Sequence, residues 1–257
     1  GVSASALMFG SGLKDASTSR SWLGLSLGTW LRTTRAALRE TGISCSKTLR
    51  ASSPPAEAPI ATTGNAGKSL RRWARKNLPE LNKLTGHNGT VNVFVDEFTN
   101  TNDIYIGVKA ISLLCMLGYR VELPEHSLSA RTFISKGLLK KARKIIDKNI
   151  EAFSGRVSED QPLIGIEPSA ILGFRDEFPE LCSARLREKA KDLAPYTMLI
   201  DEFIVREFEK GKVKKMQFTT EKKEILYHGH CQQKALLGTD VTKKLLSIPS
   251  HYSVKEI

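Results

Sequence analysis

A three-layer α/β body, in which a mostly parallel sheet carries helices on both faces, is the fold this sequence predicts. Short runs rich in β-branched and aliphatic residues, such as Val91-Asn92-Val93-Phe94-Val95 and Leu163–Ile166, lack the polar alternation of a half-exposed strand. Helical patterns of about 11 to 18 residues separate such runs, which calls for repeated βαβ units and not for hairpins. At 257 residues and 40% apolar content, the chain is long enough to bury a core of that size.

Each element has its own signal. Residues 1–67 are dominated by Ser, Thr, Ala and Gly and predict a basic, poorly ordered or loosely helical segment. Within it, Trp22 to Leu38 has a weak helical pattern with Arg20, Arg32, Arg35 and Arg39 on the polar side. That pattern suits a short amphipathic helix resting on another domain or on a lipid surface. Residues 51–67 read as a linker, and an α/β domain is expected over 68–257. Ser69 to Asn77 is basic and helical, anchored by Trp73. The strand Val91–Val95 follows, then a helix over Ile104–Leu117 with Gly118 at its C-cap, then a strand at Arg120–Leu123 closed by Pro124.

Lys136 to Phe153 is an amphipathic helix with Leu138, Leu139, Ala142, Ile145, Ile146 and Ile150 turned inward and a basic stripe outward. A third strand spans Leu163–Ile166. Helices are expected at Ser183–Leu193 and Thr197–Phe208, a strand at Glu224–Tyr227, a helical segment around Gln232–Leu246 and a last strand near Tyr252–Ile257. Phe94, Val95, Ile164, Ile166, Leu226 and Tyr227 are expected on adjacent strands of one sheet.

Charge and cysteine usage exclude several classes. The formal net charge is +12, yet residues 1–86 hold 13 Lys/Arg against 4 Asp/Glu while residues 87–257 hold 26 against 23. A nearly balanced body argues against a nucleic-acid groove, which spreads its basic face over the folded part. No apolar run approaches the roughly 18 residues of a membrane span. Four cysteines without a CxxC pair make neither a disulfide scaffold nor a closed zinc site. Position 1 is Gly, so the start is expected to be missing or processed.

In an open parallel sheet, ligands bind beyond the carboxyl ends of the strands. Asp96-Glu97 follows the first predicted strand, and Glu125-His126-Ser127-Leu128-Ser129-Ala130-Arg131 leads from the second into Ser135-Lys136-Gly137. Glu167-Pro168-Ser169 follows the third, with Arg175-Asp176-Glu177 shortly after, and His228-Gly229-His230-Cys231 follows the fourth. Ser135 and Ser169 suit helix caps. In an extended chain His228 and His230 point to one side and Cys231 opens a helix, a place that favours thiolate. The same residues also suit a strand end with two hydrogen-bonded histidines and a buried cysteine. Cys115 lies among leucines and reads as core, Cys182 is open to either reading, and Cys45 carries no chemistry.

The runs Phe94–Arg143, Ile164–Leu181 and YHGHCQQKAL (Tyr227–Leu236) resemble the cysteine-rich CCG domain at the C-terminal end of FAD-linked oxidases of the D-lactate dehydrogenase and glycolate oxidase type. The iron–sulfur polypeptide of glycolate oxidase and a polypeptide of heterodisulfide reductase share that domain. The resemblance implies an electron-transfer or supporting domain of an FAD-linked, iron–sulfur oxidoreductase acting on 2-hydroxy acids. It implies FAD on an upstream domain, a ferredoxin-like domain as partner, an electron acceptor, and a cytoplasmic place, with peripheral contact at the inner membrane face left open. It makes Cys231 the candidate ligand of a four-iron cluster, supported along the rim by His228, His230, Asp96, Glu97, Arg131, Lys136, Glu167, Arg175 and Asp176.

The sequence departs from the family pattern where that cluster would be held. Ser127-Leu128-Ser129-Ala130-Arg131 stands in place of a Cys-Cys-Gly loop, Ala170 stands where Glu-Pro-Ser is often followed by Cys, and the closing Cys-Cys-Gly is expected just beyond Ile257. A cluster needs about four ligands, mostly thiolate. The alternatives are therefore a degenerate, metal-free domain that binds a protein partner, or an anion-binding module using Arg131, Lys136 and Arg175.

Overall fold

The computed structural model describes residues 69–257. The expected helix between Trp22 and Leu38, the linker at 51–67 and Cys45 lie outside the described residues. A four-stranded sheet is built from β1 (Gly89–Phe94), β2 (Tyr119–Glu122), β3 (Leu163–Gly165) and β4 (Thr197–Leu199), in the order β2-β1-β3-β4. All neighbours are parallel, with Val91 opposite Val121, Val93 opposite Ile164 and Ile164 opposite Met198.

Successive strand residues point to opposite faces, and here both faces are buried. Val91, Val93, Ile164 and Met198 enter one core with α1 (Leu70–Leu81) and α3 (Ile104–Met116). Phe94, Leu163 and Leu199 enter the other with α5 (Leu139–Phe153). Three layers result, as the sequence predicts. Burying Ile164 and Ile166, 0% and 4% exposed, contributes about 1.5–3 kcal/mol each.

Helix α3 crosses one face between β1 and β2, and α5 crosses the other between β2 and β3. The winding therefore reverses between β1 and β3, where the loops beyond the strands part into a crevice. The short helices α2 (Glu97–Thr101) and α6 (Pro168–Ile171) start at that crevice. Gly165 lets α6 sit close: a Cβ there would lie 2.3 Å from Ile171 Cβ. Gly118, at φ +89°, turns the chain from α3 into β2 as its expected cap role requires.

Four expectations need correction. After α8 (Arg187–Leu193), residues Thr197–Leu199 form β4, and the helix expected there, α9, runs only over Ile200–Glu209. The spacing of Ile200, Phe203 and Ile204 masks the three-residue strand before it. The strands β5 (Lys223–Tyr227) and β6 (Tyr252–Glu256) do not join the main sheet but pair with each other, in parallel. Ile225 and Tyr227 are buried, whereas Leu226 is 58% exposed. The segment between them is two helices, α10 (Cys231–Leu236) and α11 (Asp240–Leu246), broken at Gly238 with φ +74°. Finally, Leu138 and Leu139 are exposed, and Lys136 caps the end of α4 (Arg131–Ser135). The inward face of α5 consists of Ala142, Ile146, Asn149, Ile150 and Phe153.

The edge strand β2 is covered by a side chain. Asn82 Nδ2 donates to the Val121 carbonyl at 2.8 Å, and Val121 N–H donates to Asn82 Oδ1 at 3.0 Å. One amide thus imitates a neighbouring strand. Among the described residues, no helix is long and apolar enough to cross a membrane.

Candidate functional site

At the end of β1, Asp96 caps α2. Its Oδ1 accepts from the Phe98 and Thr99 amides at 2.9 and 3.0 Å, and its Oδ2 from Thr99 Oγ1 at 2.5 Å. The side chain is buried, and burial raises its pKa to about 6, with the Glu167 and Glu97 carboxylates adding to the rise and the Thr99 bonds opposing it. Glu97 turns towards the loop after β2, where Ser129 donates its amide to Oε2 at 2.9 Å and its hydroxyl to Oε1 at 2.8 Å. Ser129 Oγ accepts in turn from the Arg131 amide at 3.2 Å.

The loop after β2 is held rigidly. Asn149 of α5 accepts from Ser127 N–H and donates to the Leu128 carbonyl, at 2.8 and 2.7 Å. Ala130 takes φ +67°, a left-handed conformation uncommon outside Gly, with its side chain fully buried. His126 stacks on Phe94 with ring centroids 4.2 Å apart. Its Nε2 accepts from Val95 N–H at 3.0 Å, so Nδ1 carries the proton and donates to the Ser127 carbonyl at 2.6 Å. Burial of this neutral ring lowers its pKa to about 4.

Glu167 opens α6 and accepts from Ser169 N–H at 3.4 Å and from Ser169 Oγ at 2.9 Å. The cap is thus Glu167, not Ser169, and Ser135 lies at the last turn of α4. Burial holds the Glu167 pKa above the ordinary carboxylate value, helped by the Asp103 charge. Across the crevice, His230 caps α10, its Nδ1 accepting from Gln232 N–H at 3.2 Å. That bond leaves the proton on Nε2, which faces Glu167 Oε1 at 3.5 Å. Burial, with the Arg131 charge, lowers the His230 pKa, so the contact joins a neutral imidazole to the carboxyl group.

The rim therefore brings together Asp96, Glu97, Arg131, Glu167 and His230 from three loops of the main sheet and the loop after β5. The other residues singled out in the sequence stand apart from that cluster. His228 is exposed and its Nδ1 meets the Ile257 carbonyl at 3.2 Å, so the two histidines have different partners. Cys231 is exposed at the start of α10. Lys136 is exposed, as is Asp176 just before α7 (Glu177–Leu181). Arg175 Nη1 donates to both Glu202 oxygens, at 2.9 and 3.0 Å.

Three partners were not legible in the sequence. Arg131 Nη1 lies 2.5 Å from Glu177 Oε1, while Glu177 Oε2 is buried with no hydrogen-bond partner. Glu202 completes the Arg175 pair. Asp201, at 4% exposure, accepts from Gln233 Nε2 at 3.0 Å and from Thr242 Oγ1, pinning α10 and α11 to the start of α9. A polar residue after β4 could have signalled Asp201, had that strand been recognised. Since Arg131 and Arg175 are both spent on carboxylates, the rim does not offer the cationic trio of an anion site.

An iron–sulfur cluster does not fit the described donors. Cys115 belongs to one core, Cys182 to the other with its thiol on the Pro179 carbonyl, and Cys231 to the surface. Burial pushes the thiol of Cys115 up to about 12 and raises that of Cys182, which disfavours the thiolate a ligand needs. Among the described residues, no group of three His, Cys, Asp or Glu side chains could hold a metal ion. What the rim can do is fix four loops through carboxylate, hydroxyl and imidazole contacts.

No family model matches the chain, and no solved structure matches it. A D-2-hydroxyglutarate dehydrogenase from Haemophilus influenzae is 27% identical to it over 119 residues. Those residues are 46% of this chain and 11% of that protein, so the similarity covers a small part of the relative.

Proposed function

We propose that this chain is part of an FAD-linked oxidoreductase of 2-hydroxy acids, of the lactate, glycolate or 2-hydroxyglutarate type. The α/β body acts as a supporting domain of the CCG kind, and the flavin sits on an FAD-binding domain outside it. The similarity to a stretch of a D-2-hydroxyglutarate dehydrogenase carries this proposal. The rim at the winding reversal supports this reading: Glu167 and His230 bind two loops into one surface there, against which a redox domain would pack. Hydride abstraction belongs to the flavin domain. In this body Glu97, Ser129 and Arg131 set the shape of the rim, and the described thiols do not converge.

A metal-free interaction module is the second reading. The serines of the loop after β2 favour it: where the family places thiolates, Ser129 is bonded to Glu97. The two readings share a test. Deleting the coding sequence for residues 69–257 in the source cell should lower the reduction of an artificial electron acceptor by D-2-hydroxyglutarate, D-lactate or glycolate in extracts, and its return should restore it. Unchanged reduction with all three acids would contradict the oxidoreductase proposal and leave the interaction module.

A further inference from the structure

Helix α1 and the outer edge of β2 border an open groove of about 540 Å³. Its floor is apolar, with Ala74 buried and Leu78 and Leu123 half-buried. Alternation along an extended strand sends the Leu123 N–H to the same outer edge as that of Val121, which Asn82 already occupies. The walls carry Arg71, Arg75, Lys83 and Arg120 against the carboxylate of Glu125. Lys83 is neutralised by Glu80 at 2.5 Å, but the guanidinium groups are not. Elsewhere Arg131, Arg175, Arg185 and Arg206 each meet a carboxylate oxygen at 2.5 to 2.9 Å. In the groove, Arg71 Nη1 stands 3.7 Å from Glu125, whose side chain is 87% exposed, and Arg120 Nε stands 3.4 Å from Glu122. Arg75 is exposed and has no carboxylate partner among the described residues. It lies one helical turn from Arg71. Burial lowers the Arg71 pKa, Glu125 opposes the fall and the Arg75 charge adds to it.

We propose that this groove binds a short acidic segment of another protein in extended form, its carboxylates on Arg71 and Arg75 and its aliphatic side chains over Leu78 and Leu123. Charge complementarity selects an anion, and the lining selects its kind. A guanidinium fork matches a carboxylate through two parallel hydrogen bonds. Arginine anchors beside an apolar floor are the make-up of a protein interface, and an outward-facing edge backbone can receive an added strand. A second copy of this chain would set the same cations against each other. Residues 1–67 hold 7 Lys/Arg against 3 Asp/Glu and so share the sign of the groove. The lining carries no aromatic residue on which a nucleic-acid base could stack.

The test is fluorescence anisotropy of the full chain with a labelled hexapeptide of alternating glutamate and leucine. That peptide should bind saturably, and one of alternating lysine and leucine should not. A glutamate–serine peptide, which keeps the charge and loses the aliphatic contact, should bind about tenfold more weakly. Arg75→Gln should weaken the glutamate–leucine peptide about tenfold, the loss of one charge-assisted contact, with an unchanged melting temperature. Lys189→Gln, which removes an exposed cation outside the groove, should leave the affinity at the parent's value. No saturable binding of the glutamate–leucine peptide, or equal affinity in the parent and Arg75→Gln, would overturn the proposal. Duplex DNA binding that Arg75→Gln abolishes, without peptide binding, would equally overturn it and assign the groove to nucleic acid.

Discussion

Where β1 ends, two adjacent contacts respond to acid in opposite senses. Asp96 has a folded pKa of about 6 against an ordinary 3.8, so between those values the folded chain holds a proton that the unfolded chain has lost. Its contribution to stability is therefore present in acid and lost as pH rises through about 6. His126 has a folded pKa of about 4 against an ordinary 6.5, so in that window the unfolded chain holds the extra proton. Its contribution is present at neutral pH and lost as pH falls through about 4. Each shift is worth about 3 kcal/mol over its window, and the two largely offset each other. Asp96→Asn should therefore expose a loss of about 3 kcal/mol on acidification from pH 6.5 to 4, and His126→Gln the reverse slope, by urea denaturation at several pH values. Parallel pH profiles for parent and variants would contradict this pairing.

The same scale shows what a sequence can reveal about a site. Asp96 and Glu167 were identifiable because each follows a strand of one parallel sheet, whose strand ends converge. His230 follows β5, outside that sheet, and reaches Glu167 at the start of α10. Glu177 was passed over because its partner, Arg131, lies 46 positions earlier. Only the packing of α7 against α5 tells which of three consecutive charged residues, Arg175, Asp176 or Glu177, turns inward. Of the two serines suited to caps, Ser169 donates to the Glu167 carboxylate, which itself caps α6, and Ser135 lies in the last turn of α4.

Among the elements, the edge strand β2 is the most vulnerable. Asn82→Ala would leave the Val121 N–H and C=O without their side-chain partner, at a cost of about 1–2 kcal/mol. It should also make association concentration-dependent by light scattering, because an open edge pairs with other chains. Equal stability and no added scattering would show that Asn82 does not seal the edge. Strands β1 and β3 were legible from apolar runs of their own, and β2 from its place between Gly118 and Pro124. β4 was not, since its three residues merge with the helical spacing of α9. β5 was recognised as a strand and misplaced, because Ile225 and Tyr227 are apolar enough for a central strand while the exposed Leu226 belongs to a small pair outside the main sheet.

For the whole molecule, the doubly wound sheet explains why one rim collects polar loops and why the described thiols do not meet. Cys115 sits on α3 and Cys182 just past the end of α7, in cores on opposite faces of the sheet. Cys231 lies at the surface, beside a histidine whose ring is bound to Glu167 and to Gln232 N–H. A rim knit by Ser129, Glu97, Arg131 and Glu177 needs no metal to hold its shape. Anaerobic reconstitution of the purified chain with iron and sulfide tests this most directly, read by absorbance and paramagnetic resonance with the iron content per chain. The geometry of the rim predicts no stoichiometric cluster and an unchanged melting temperature. A stable four-iron signal that is lost in Cys231→Ser would contradict it.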